Sequence, residues 1–178
     1  MNLEKLRYPI GRFALPENIS DTLLNEAITI LEIFPENLKE MLQGISEEML
    51  DTPYREGGWT IRQLIHHIAD SHHNSYTRFK WTLTEDNPTI KAYDEKGWAA
   101  FGDYMTLPVV WSIEHLENMH HKLVHLLRML TEEQWNRTLV HPESGATMNL
   151  KELALMYSWH SMHHYSHIKN ALSKEKVG

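Results

Sequence analysis

From Leu23 onward the apolar residues recur at intervals of three and four, through Ile30, Leu31, Phe34, Leu38, Met41 and Leu42. That spacing places them on one face of a helix. Ser20 or Asp21 is suited to cap its start and Gly44 to stop it, while Pro35, which lacks an N–H, predicts a kink inside it. A second helix is predicted after Gly57-Gly58, with Thr60 as its cap and Ile61, Leu64, Ile65, Ile68, Tyr76, Phe79 and Leu83 along it, ending at Asn87-Pro88. A third spans about 109–130, with Ile113, Leu116, Met119, Leu123, Leu127 and Leu130 in register. After the turn formers His141-Pro142-Glu143-Ser144-Gly145, a fourth covers about 149–174.

Between these stretches the pattern changes. Turn formers in Tyr8-Pro9-Ile10-Gly11 and Leu15-Pro16-Glu17-Asn18 predict that residues 1–18 form an irregular arm packed onto the body. Residues 85–108 carry Pro88, Gly97, Gly102 and Pro108 among Tyr93, Trp98, Phe101 and Tyr104, which reads as a long crossover held down by rings and able to cover a site. No run alternates as a half-buried strand would, and no repeat is visible. Four amphipathic helices with one long connection, between the second and the third, give an all-α fold, a four-helix bundle with a crossover. At 178 residues, one domain over 1–178 accounts for the chain.

Composition narrows the chemistry. The chain has no cysteine, which excludes disulfides, thiolate metal sites and a cysteine nucleophile of its own. A formal charge of −7, spread along the chain with no basic patch, argues against nucleic acid as a partner. No apolar run has the length of a signal peptide or a membrane span, so the expectation is a soluble, cytoplasmic protein with no membrane partner.

The histidines are the candidate chemistry. Eight of thirteen fall in two windows: His66, His67, His72 and His73, and then His160, His163, His164 and His167. Imidazole is the commonest metal-coordinating side chain, and two of them four apart on a helix can reach one ion. On a wheel of roughly 100° per residue, His160 and His164 fall on the core-facing stripe of the last helix with Leu153, Tyr157 and Ala171. A shared metal would satisfy both; hydrogen bonds to carbonyls or carboxylates would do so equally. His163 and His167 lie to one side and read as structural. On the second helix His66 and His73 point outward, while His72 sits near the centre of the apolar face and is nominated at least as readily as His67. Spacing leaves that choice open. Of His115, His120, His121 and His125, only His120 shares an apolar face, so the others read as solvated or capping.

The segment Thr52-Pro53-Tyr54-Arg55-Glu56-Gly57-Gly58-Trp59-Thr60-Ile61-Arg62-Gln63, with His66-His67-Ile68-Ala69-Asp70-Ser71-His72 and then Trp159-His160 through His164, closely resembles the YfiT-like proteins of bacilli. These belong to the DinB-like superfamily of metal-binding four-helix bundles. The likeness runs over nearly the whole chain, including Tyr8-Pro9-Ile10-Gly11, Tyr93-Asp94-Glu95-Lys96 and His141-Pro142. It implies that the family's motif histidines fall on His67, His160 and His164, and so selects His67 over His72. Met162 stands where the family often has a further histidine, a difference expected in the pocket wall.

A three-imidazole set without a fourth protein ligand keeps one coordination position open for water or substrate. Nitrogen ligands suit zinc, nickel, copper or iron, with zinc the first choice and nickel the second. The resemblance implies a metal-dependent hydrolase acting on a small molecule, or a transferase moving a low-molecular-weight thiol such as bacillithiol onto an electrophile. A chain without cysteine would have to import that thiol as a cosubstrate. A third reading is a non-catalytic, stress-related bundle whose ion only ties helices together. The zinc peptidase motif carries a glutamate directly after its first histidine, and here that place is Ser161. No catalytic base is assigned: Asp70, three residues beyond His67, is suited to orient that ring or accept a proton, and equally to pair with Asn74. A homodimer is expected from the family's habit of association and from aromatics not used in any core stripe.

Overall fold

A computed structural model describes residues 3–175. In chain order the elements are α1 (Leu3–Arg7), α2 (Asp21–Met41), α3 (Glu47–Leu50), α4 (Ile61–Thr84), α5 (Glu95–Ala99), α6 (Asp103–Thr106), α7 (Val109–Met129), α8 (Glu132–Trp135), β1 (Thr138–Val140), β2 (Thr147–Asn149) and α9 (Leu150–Glu175). The long helices α2, α4, α7 and α9 are the four predicted from periodicity; α2, α4 and α9 start on side-chain caps, whereas α7 follows Pro108 without one. Ser20 Oγ accepts from Leu23 N. Thr60 and Gln63 exchange reciprocal hydrogen bonds at the start of α4, and Asn149 and Glu152 do so at the start of α9.

α2 packs against α7 and α9, and α4 also packs against α7 and α9. The first two long helices therefore sit across a diagonal of the bundle. Leu31, Phe34 and Leu38 from α2 meet Leu64 and Ile68 from α4, Leu116 and Leu123 from α7, and Leu153 and Ile168 from α9 in one buried core. Pro35 is buried within α2, which continues past it to Met41. Among the described residues, no helix is long and apolar enough to cross a membrane.

Three expectations need correction. The N-terminal arm, read as irregular over residues 1–18, contains α1, because Leu-Glu-Lys-Leu-Arg is made of good helix formers and stops only before Tyr8-Pro9. A small antiparallel hairpin, β1 with β2, stands where no strand was expected, pairing Leu139 with Met148. Three-residue strands are too short for alternation to register, and what makes them pair is the turn at Gly145, whose φ of 65° suits glycine. His66, read as outward, is buried: Ser112 of α7 meets its Nδ1 at 2.8 Å and the Tyr104 ring covers it.

The crossover is held to α4 as its aromatics implied. Tyr104 is buried and donates its hydroxyl to the Asp70 carboxylate, and Gln63 donates to the Ala99 carbonyl at 2.8 Å. Phe101 and Trp98, by contrast, stay exposed. The helix that carries His67 starts at Thr60, so loss of that cap should loosen its first turns. Thr60→Ala is expected to lower stability by about 1 kcal/mol, read by urea unfolding; a midpoint equal to wild type would show that the capping box does not hold this end.

Candidate metal centre

His67 lies on α4 two turns from its N-terminus, and His160 and His164 lie one turn apart on α9, which packs against α4. The contact brings the three rings together, with one nitrogen of each within 4.8 Å of the others. His67 Nε2 and His160 Nε2 stand 3.3 Å apart. Two nitrogens bound at about 2.0–2.1 Å to one tetrahedral ion are separated by about 3.3–3.4 Å, so this edge already has the length a bound zinc would impose. His67 and His164 are buried and His160 is partly exposed, which makes His160 the member that opens outward.

His160 opens onto a cavity of about 890 Å³. Its wall combines faces of α4 and α9 with pieces outside the four long helices, Tyr93 to Lys96 of the crossover and Leu139, His141 and Met148 of the hairpin. Arg78 and Tyr157 line the same space. The crossover therefore does border the site, as its length suggested. Met162, expected in the pocket wall, is exposed and lines a separate groove with Phe13 and Leu23.

The remaining histidines surround this group. His72 is fully buried with its Nε2 3.1 Å from His160 Nδ1, and its Nδ1 is 2.9 Å from His120 Nε2. His167 Nδ1 lies 3.4 Å from His164 Nδ1. His163 stacks on Trp159 with 4.5 Å between ring centres. His163, His164 and His167 form a second group with metal-binding spacing, but both nitrogens of His167 already have partners, since its Nε2 meets the carbonyls of Leu6 and Arg7. His73 and His115 pair with each other on the exposed side. Asp70 does not reach His67, whose Nδ1 has no hydrogen-bond partner: its carboxylate accepts from Tyr104 and its backbone carbonyl from Asn74.

Burial keeps these rings neutral. It lowers His67, His120, His163 and His167 to about 4, and it takes His72, His160 and His164 well below the ordinary imidazole value, with neighbouring histidines adding to the effect. Neutral imidazole is the form that ligates a metal. Because the folded values lie below the unfolded one near 6.5, the unfolded chain binds more protons as the pH falls through this window. Stability is thus complete above about pH 6.5 and is lost progressively toward pH 4. Thermal unfolding of the metal-free protein across that range should show the melting temperature falling with proton uptake; a flat profile would contradict the neutral cluster.

A family model of the DinB superfamily matches residues 30–168. The chain is 43% identical over 168 residues to "Putative metal-dependent hydrolase YfiT" of Bacillus subtilis, covering 94% of each. It is 45% identical over 170 residues to a "Putative metal-dependent hydrolase" of Oceanobacillus iheyensis, covering 96% of this chain and 97% of the relative. The solved structure of the Bacillus subtilis YfiT, described as "a probable metal-dependent hydrolase with an unusual four-helix bundle topology", superposes with a TM-score of 0.94 at 41% identity, covering 97% of this chain and 98% of that one. A mycothiol-dependent maleylpyruvate isomerase shares the fold at a TM-score of 0.61 and 20% identity, over 79% of this chain and 60% of that one. With its helical order, its histidine group and these relatives in agreement, the chain belongs to the DinB superfamily, as a YfiT-like member.

Proposed function

We propose that this protein is a metal-dependent hydrolase of small molecules that carry an acidic group, with zinc the first-choice ion, nickel the second, and His67, His160 and His164 as its ligands. The observation that carries the reading is a group of three neutral imidazoles placed where one of them faces a cavity of about 890 Å³. That volume suits a small molecule. Three protein ligands leave a coordination position open, and an ion there would lower the pKa of bound water to about 7, making hydroxide available for hydrolysis. The names of the relatives point the same way.

Arg78 supports the choice of an acidic substrate. The equally buried Arg62 is neutralised by Glu47 and by Asp51, the latter at 2.7 Å. Arg78 has no such partner: it is buried, borders the cavity with His160, and no carboxylate among the described residues lies within ion-pair distance of it. Its guanidinium donates at 2.8 Å to Tyr157 Oη and more distantly to the Lys91 carbonyl, and its Nε has no partner. An unpaired buried cation is costly, and an anion entering the cavity removes much of that cost. A carboxylate or phosphate on the substrate would bind there while its reacting bond lies toward the histidines.

A second reading uses the same site to transfer a low-molecular-weight thiol. The cavity admits a thiol cosubstrate beside an electrophile, and a chain with no cysteine would need to import one.

Zinc-loaded protein assayed on ester and amide panels, with and without bacillithiol, separates the two readings: turnover only with the thiol would overturn hydrolysis. His67→Ala should lose bound metal and activity together, as measured by elemental analysis and turnover. A variant that melts lower but keeps every activity would instead support an ion that only ties helices. Arg78→Met should raise KM for an acidic substrate roughly tenfold or more relative to its neutral amide analogue. Equal KM changes for both would remove Arg78 from substrate binding.

A further inference from the structure

A neutral imidazole has one N–H and one lone pair, and a carbonyl oxygen can only accept. His120 Nδ1 faces the Leu31 carbonyl, so His120 carries its proton on Nδ1 and presents a bare Nε2. The ring nitrogen meeting that Nε2 is His72 Nδ1, which must then be the donor, leaving His72 Nε2 bare. His72 Nε2 in turn meets His160 Nδ1, so His160 holds its proton there and keeps its lone pair on Nε2. Nε2 is the nitrogen that stands 3.3 Å from His67. One carbonyl thus determines the protonation pattern of three rings in series.

A second series ends on the other α9 histidine of the group. His167 Nε2 meets the carbonyls of Leu6 and Arg7 and must donate to them. His167 Nδ1 is then the acceptor, His164 Nδ1 the donor, and His164 Nε2 the bare nitrogen.

Both series start from acceptors that helix hydrogen bonding leaves free. Within α2 the Leu31 carbonyl would ordinarily receive the N–H of residue 35, which is Pro35 and has none. Leu6 and Arg7 are in the last turn of α1, where carbonyls lack helical partners. Burial lowers the pKa of each ring in the two series, in keeping with one proton per ring.

We infer that His120, His72 and His167 are positioning residues: anchored on carbonyls freed by Pro35 and by the end of α1, they fix His160 and His164 as Nδ1–H tautomers and aim both Nε2 atoms at one metal position. The inference rests on reading His67, His160 and His164 as ligands. It gives the buried proline and the N-terminal helix a part in the site, although neither approaches it in sequence. It also separates His67, which no protein group orients through Nδ1, from the two ligands on α9. Partners of this kind raise metal affinity because the ring no longer has to be turned and reprotonated when the ion arrives.

Long-range proton–nitrogen correlation spectra of the metal-free, nitrogen-15-labelled protein read the tautomers directly and depend on neither activity nor metal. The expected pattern is Nδ1–H for His72, His120, His160 and His164, and Nε2–H for His167; an Nε2–H form of His160 or His164 overturns the inference. Zinc competition titrations provide the second test. His120→Phe and His167→Phe, compared at a temperature where circular dichroism shows wild-type helix content, should each weaken zinc binding about 10- to 100-fold. Wild-type affinity in both folded variants overturns the positioning role. A wild-type protein with the expected tautomers that binds no zinc or nickel would sink the ligand assignment itself, so the two failures are distinguishable.

Discussion

Burying an imidazole away from charge obliges the fold to find a place for one proton and one lone pair, and this protein meets that obligation seven times, at His66, His67, His72, His120, His163, His164 and His167. Without a partner, each buried polar atom costs on the order of 1–3 kcal/mol. The answer is to let the rings satisfy one another and to end each series on a backbone carbonyl. Among the nitrogens of these rings that are fully shielded from solvent, His66 Nε2, His67 Nδ1 and His163 Nδ1 lack a hydrogen-bond partner. Two of those three residues belong to the groups with metal-binding spacing.

The order of the helices makes this possible. With α2 and α4 on a diagonal, α4 is flanked by α7 and α9 and is also covered by α5 and α6 of the crossover. Its residues 61–69 are buried on every side. One short stretch of α4 can therefore send His67 toward α9, His72 toward both α7 and α9, and His66 toward the start of α7. The histidine group comes from the bundle alone, while the cavity beside it is walled partly by α4 and α9 and partly by the irregular segments around them. Those segments can differ in shape without disturbing the histidine geometry, so one bundle can carry cavities of different shape.

The long helices were legible because each carries a sustained apolar stripe, and α2 and α4 also start on a recognisable cap. The short elements were not. α5, α6 and α8 span a turn or so, and β1 and β2 have three residues each, too few for any period to emerge. These pieces nevertheless set the environment of the site: Tyr104 claims Asp70, the hairpin walls the cavity, and α1 supplies the acceptors for His167. Pro35 was visible as an interruption in a helix, while the carbonyl it frees acquires a partner only when α7 packs alongside.

By itself the sequence determined which residues lie on the long helices, that His160 and His164 share an inward face, and, through its resemblance, that His67 joins them. Those properties are local: helix period and residue type are carried by a few consecutive turns. A wheel could not choose between His67 and His72 because it assumes one buried face, and the first turns of α4, residues 61–69, are buried all round. Only the tertiary structure decided that His67 meets the α9 pair directly while His72 stands behind His160 as its hydrogen-bond partner. The difference comes from which neighbouring helix each ring encounters, and that is a property of packing between segments about ninety residues apart.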